Sequence, residues 1–156
     1  MTQLCVMDSS HEKWESVAAF AESCPWGAGK TLAHLMRSGT FKDWERVIAA
    51  FENKSPVGFC TLTEKDELDT KYSYCVFIGF LYVGEAHRGN RLSEKMIRKA
   101  IKYASTCGYK KVHIMSGEKG LYEKYGFEYI GDFETIYGNC EQLFVIDTEY
   151  KAGEPL

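Results

Sequence analysis

The sequence predicts an α/β (α+β) fold in which helices pack against a single layer of sheet, on three observations. Short apolar runs rich in β-branched and aromatic residues, such as "ERVIAAFE", "YCVFIGFLYV" and "EQLFVIDTE", are bounded by turn residues in the way strands are. Other stretches repeat their apolar residues at helical spacing. The resulting order, β-α-α-β-β-β-α-β-α-β-β, is that of a mixed layered domain. No repeat, low-complexity tract or linker divides it, so residues 1–156 are expected to form one domain.

Residues 2–7, "TQLCVM", alternate weakly and give the first strand. Ser9 and Glu12 have the S-x-x-E spacing of a capping box, ahead of a helical face made by Trp14, Val17, Ala18 and Ala21. "GKTLAHLMRSG" gives a second helix ending at Gly39. "ERVIAAFE" and "VGFCTLTE" pair across the turn "NKSP", and the charged run "EKDELD" after them is expected to be a solvated loop. "YCVFIGFLYV" is a central strand. The helix after it has the clearest pattern, with Leu92, Met96, Ala100, Ile101 and Ala104 on one face and Lys95, Arg98, Lys99 and Lys102 on the other. Asn90 is placed to cap it and Gly108 to end it. "KKVHIMS" is a strand, "KGLYEKYG" a short helix, and "FEYIGDFETI" and "EQLFVIDTE" are the last strands.

A chain of 156 residues with 45% apolar and 26% charged residues has the composition of an ordinary globular domain. A net charge of −3 lacks the basic surface that nucleic-acid binding needs. No apolar run reaches membrane-spanning length, and "MTQLCVMDSSHEK" lacks the order of a signal peptide. The six cysteines are scattered without a C-x-x-C pair, which suits reduced thiols in a cytoplasm and argues against a zinc site.

The stretch "YVGEAHRGNRLSEKM" holds the most chemistry. A strand ends near Val83, a polar turn follows, and a helix opens near Arg91. Such a junction leaves backbone N–H groups unpaired and aimed at one point, where the helix dipole adds positive charge. Arg88 and Arg91 bring two full charges, Asn90 and Ser93 neutral donors, while Glu94 opposes an anion unless it points away. From this segment alone, a phosphate cradle and a capped helix with a solvated basic start are equal readings.

Downstream residues break that tie. "RGNRLS" at 88–93 resembles the Q/R-x-x-G-x-G/A turn of the GNAT superfamily of acetyl-coenzyme A-dependent N-acetyltransferases, and "LYEKYGFEYIGDF" at 121–133 resembles its Y-x-x-x-G-F segment. The spacing between the two also agrees, as does the element order over nearly the whole chain. The resemblance implies a single mixed, mostly antiparallel sheet of about seven strands with about four helices. It departs at Arg91, which replaces the turn's glycine, and at Ser93, which replaces its second small residue. Glycine there lets the backbone approach phosphate closely. If Arg91 is already helical, its dihedrals need no glycine, and its side chain either turns outward or folds over the phosphates.

The resemblance further implies acetyl-CoA as co-substrate, no metal, direct transfer to a primary amine and, commonly in this superfamily, a homodimer. Leu81, Tyr82 and Val83 would bind the pantetheine arm, and Arg88, Gly89, Asn90, Arg91, Leu92 and Ser93 the pyrophosphate. Tyr122 matches the residue that protonates the departing thiolate, and Tyr125 is taken as packing. For the base, the family's glutamate on the fourth strand is replaced by Phe77. His113, near the position some relatives use on the fifth strand, and Glu85 are the candidates, with a water relay the alternative. Trp26, in "CPWGAGKTLAHLM", is a candidate wall of the acceptor pocket. "GAGKT" is no P-loop, because G-x-x-x-x-G-K-[ST] needs glycine at Cys24 and no strand leads into it. Trp44 is expected to anchor the core, and the acidic run Glu64, Asp66, Glu67 and Asp69, which has the charge to attract a cationic acceptor, is expected to be a solvated face instead. A CoA-binding module without catalysis is the competing function.

Overall fold

The computed structural model describes residues 1–149. Its elements follow the expected order: β1 (Thr2–Met7), α1 (Trp14–Ser23), α2 (Ala28–Arg37), β2 (Arg46–Glu52), β3 (Ser55–Thr63), β4 (Phe77–Val83), α3 (Leu92–Thr106), β5 (Lys111–Ser116), α4 (Leu121–Lys124), β6 (Glu128–Glu134) and β7 (Cys140–Asp147). The seven strands form one sheet in the order β1-β2-β3-β4-β5-β7-β6. Every neighbouring pair is antiparallel except β4 and β5.

Both faces of the sheet are covered, which is why β2 reads as an unbroken apolar run. Its Val47, Ala49 and Phe51 pack with α1 and α2 through Val17, Ala18, Ala21, Leu32 and Met36. The alternate residues Ile48 and Ala50 pack on the other face with Met96, Ile97, Ala100 and Ala104 of α3. The indole of Trp14 donates to the Met36 carbonyl at 3.0 Å, locking α1 to α2. Trp44 packs at the edge of the α3 core, its ring 5.0 Å from Tyr109.

Three local expectations fail for physical reasons. The Ser9–Glu12 capping box does not form. Instead Asp8 accepts bonds from the Ser10 amide and hydroxyl, and this local turn ends the strand and delays α1 to Trp14. The β2–β3 turn is tighter than "NKSP". Asn53 and Lys54 both take positive φ (51° and 70°), a two-residue hairpin, so β3 begins at Ser55 and Pro56 sits beside a bulge on its own strand. The "EKDELD" loop is not simply solvated. Leu68 is buried and bridges to Thr135, the Asp69 amide donates to the Glu134 carbonyl and the Ile136 amide to the Glu67 carbonyl. The loop therefore lies across one end of the sheet, tied to the β6–β7 hairpin. Glu45, itself buried, holds the start of this loop by accepting from the Glu64 amide at 2.7 Å.

Candidate active site

The site is made by a fault in the sheet. β4 and β5 share the single pair Phe77↔His113, secured by the His113 amide donating to the Val76 carbonyl at 2.8 Å. Beyond it β4 carries an extra residue relative to β3, since Phe59 pairs with Tyr82 but Thr61 with Gly79. Phe80 sits in this bulge at φ +48°, a left-handed conformation that bends the strand. A bulge in β4 beside a parallel neighbour leaves backbone groups without ladder partners, and a groove of about 1000 Å³ opens there. Ile78 to Val83 line its length, with Arg88 and Ser93 at one end and Lys65, Asp66 and Glu67 at the other. Ile114, Ser116 and Tyr122 line it from the β5 side, and Trp26, Thr31 and Leu35 from the α2 side.

At the first end, α3 begins without a side-chain cap, so the amides of its first turn are left for another acceptor. Asn90 does not cap it. Arg91 does not start the helix in helical geometry either: it holds the cap position at φ +59°, where glycine is favoured, and Gly89 is at φ +88°. The Arg91 side chain turns outward and pairs with Glu94 at 2.6 Å. Burial pushes the Glu94 carboxyl up, but bonds from Arg91 and Arg98 outweigh it and hold the group below the usual carboxylate range. The charge at this helix start is thereby neutralised by two guanidinium groups. Arg88 instead lies along the groove, its Nε donating to the Val83 carbonyl at 2.9 Å and its guanidinium 5.7 Å above the Tyr82 ring. The Ser93 hydroxyl lines the groove and bonds the Tyr125 hydroxyl at 3.1 Å, so Tyr125 does more than pack. Asn90 and Leu92 face a separate small depression with Thr2, Glu52, His87 and Lys95.

Midway, Tyr122 is buried among Tyr125, Phe127 and Phe144. Burial pushes its phenol up to about 12 despite a hydrogen bond with Ser116. The phenol therefore keeps its proton at neutral pH. The other two residues expected to do proton chemistry lie elsewhere. His113 is buried between Phe77 and Tyr74, its Nδ1 is 3.1 Å from the Val76 carbonyl, and it is absent from the groove lining. Burial lowers its pKa, which keeps the ring neutral. Glu85 is exposed in a short 3-10 turn, Glu85–His87, also outside the groove.

The comparisons with known proteins match this geometry. The model of the Acetyltransferase (GNAT) family matches residues 12–127. The chain belongs to the GNAT acetyltransferase family. No curated protein matches it by sequence. Solved structures share the GNAT fold at low identity. An aminoglycoside 6'-acetyltransferase type Ii superposes with a TM-score of 0.73 at 14% identity, over 96% of this chain and 99% of that one. An aminoglycoside 6'-N-acetyltransferase complexed with coenzyme A gives 0.69 at 12%, over 96% and 98%. The yncA protein of Salmonella typhimurium, solved with its cofactor acetyl-CoA, gives 0.64 at 15%, over 99% and 98%.

At the far end of the groove, sequence reasoning found one wall and missed the rest. Trp26 does line it, stacked on Tyr82 at 5.9 Å and 6°, with Phe59 and Phe80 nearby. Asp66 and Glu67, assigned to solvent in the sequence, also line it, as do Ile136 and Tyr137 of the β6–β7 hairpin. Asp66 is half-buried, and desolvation with the neighbouring Glu67 charge pushes its carboxyl up to about 7. Its place depends on Gly79, since a methyl group there would come within 2.7 Å of Asp66 Oδ1. The one available signal was Leu68, an apolar residue inside a charged run, which shows that the run is anchored.

Proposed function

We propose that this protein is an N-acetyltransferase that moves the acetyl group of acetyl-CoA directly to a primary amine. The observation that carries this reading is the β4–β5 gap lined by a buried tyrosine, Tyr122. The residues fit the coenzyme: unpaired amides at the start of α3, Arg88 and the Ser93 hydroxyl suit its phosphates, and Leu81, Tyr82 and Val83 offer strand-like backbone bonds to its arm. Ser93 can accept from Tyr125 and still donate its own proton into the groove. When bound, the coenzyme supplies the acetyl thioester. A backbone N–H of β4 freed by the bulge polarises the thioester carbonyl, as an oxyanion donor does. The amine nitrogen forms the new bond to the acetyl carbon, the C–S bond breaks, and Tyr122 gives its proton to the sulfur. The thiolate leaves into the same desolvated slot that raises Tyr122, which keeps donor and acceptor matched. Six free cysteines suit a reducing cytoplasm.

Melting with and without saturating acetyl-CoA tests the binding half. Ligand at a hundred times its dissociation constant should add about 2.7 kcal/mol, a rise of roughly 5 °C or more for this size. Thiol release with a panel of primary amines tests the transfer half. A melting point that does not move at millimolar acetyl-CoA would end the reading.

A further inference from the structure

The mechanism above leaves the amine's proton without a destination, and the far end of the groove supplies one. We infer that Asp66 is the catalytic base: it receives the acceptor as an ammonium ion and takes its proton through the opening left by Gly79. The inference rests on the proposed amine acetylation. Geometry carries it. The β3–β4 loop is fixed at both ends, by Glu45 on the Glu64 amide and by Leu68 against Thr135, so Asp66 is held over β4 rather than free in solvent. A methyl group at Gly79 would meet Asp66 Oδ1 at 2.7 Å, Cγ at 3.1 Å and Thr61 Oγ1 at 3.3 Å, so the carboxylate occupies space that any other residue at that strand position would fill. Gly79 adjoins the Phe80 bulge where the thioester is expected, and Asp66 and Tyr122 line the same groove.

The charges around Asp66 suit a cation. Glu67 stands beside it on the loop, and Glu141 of β7 adds a like charge on Glu67. Glu118 also lines this part of the groove. The one cation on the loop there, Lys65, also lines this end, and its ammonium is engaged by donation to the Tyr74 carbonyl at 2.8 Å. The neighbouring strands present Thr61 from β3 and Met115 and Ser116 from β5, none of them an acid or a cation. A base half-ionised near pH 7 balances availability against driving force, and Asp66 lies near that point. The proton balance then closes: one ammonium proton goes to Asp66 and from there to solvent, the neutral amine attacks, Tyr122 protonates the departing sulfur, and the second N–H proton, released as the amide forms, restores the Tyr122 hydroxyl.

Three measurements test this. The first is calorimetric binding of coenzyme A to wild type and Asp66→Asn, with equal affinity expected. Loss of binding in both overturns the acetyl-CoA reading, whereas loss in the variant alone overturns the inference by making Asp66 part of the coenzyme site. The second needs no turnover: a carbon-13 NMR titration of Asp66, expected to give a midpoint near 7 that moves to lower pH on adding 1,4-diaminobutane. A midpoint near 4, or one insensitive to the diamine, overturns the inference. The third is the pH profile of kcat/KM with the best amine of the panel. Wild type should rise to a plateau across pH 7. Asp66→Asn should lose that limb and about 10²-fold or more in rate, and Gly79→Ala, which displaces the carboxylate without removing it, should lose rate with the limb moved. Full activity and an unchanged limb in Asp66→Asn sink it.

Discussion

The two ends of the groove are built in opposite ways. The end proposed for the coenzyme is local: strand, bulge, turn and helix start lie within Gly79 to Ser93, and their chemistry comes from backbone amides that any sequence able to make the junction will present. The end proposed for the acceptor is assembled from distant pieces, namely a loop after β3, a hairpin between β6 and β7, and an aromatic ring from the α1–α2 connection. A coenzyme shared by a whole family can be held by backbone, which tolerates side-chain change. Recognition of the acceptor has to come from side chains placed by tertiary contacts. The first end lies wholly within the residues 12–127 that the family model matches, whereas Ile136 and Tyr137 of the second lie outside them.

The sharpest way to break this comparison is between the ends, at Tyr122. Tyr122→Phe keeps the ring in its packed slot and removes only the proton. Turnover should fall about 10²-fold or more, with coenzyme affinity nearly unchanged. Activity equal to wild type across the pH range would show that the thiolate leaves without it.

At the acceptor end the same logic applies to stability. Asp66 has a folded-state pKa raised from 3.8 to about 7, so ionising it opposes folding. Its contribution is intact below pH 4 and is lost as pH rises through 7. Asp66→Asn should therefore match wild type near pH 4 and exceed it at pH 8. At ~1.4 kcal/mol per pKa unit, the ceiling is about 4 kcal/mol, reduced by water entering the open groove. Parallel melting curves at both pH values would refute the burial argument. Glu67→Gln, by removing a like charge, should move the kinetic limb to lower pH.

How much of each end was legible follows from the same division. The periodicity of α3, the run of β4 and the turn at Arg88 are contiguous, and the sequence shows each of them. So is Tyr122, through its spacing to Gly126 and Phe127. Asp66 is not legible, because burying a carboxylate is costly and a charged run is by default a surface. What reverses that default is Leu68 reaching Thr135, a contact between residues 67 positions apart. His113 misled for the complementary reason: its residue type suits a base, yet its strand position points it between Phe77 and Tyr74.

Returning to the coenzyme end, Arg88→Ala should weaken coenzyme binding by about ten- to a hundredfold, the loss of one charge-assisted hydrogen bond of ~1.5–3 kcal/mol. Unchanged affinity would show that the helix start alone holds the phosphates, making this end even more a backbone device.

Arg91 offers the smallest effect and the finest test. At φ +59° a non-glycine residue is strained by ~1–2 kcal/mol, against which stands a surface pair with Glu94 worth at most about 1 kcal/mol. The Arg91 side chain is 77% exposed, so that pair belongs at the weak end of its range. Arg91→Gly should thus leave stability unchanged or raise it by up to about 1 kcal/mol, and because the side chain points to Glu94 rather than into the groove, coenzyme affinity should hold or rise slightly. A tenfold loss would mean that Arg91 leaves Glu94 and closes over the phosphates on binding. Charge would then replace the glycine's closeness, and the coenzyme end would depend on a side chain after all.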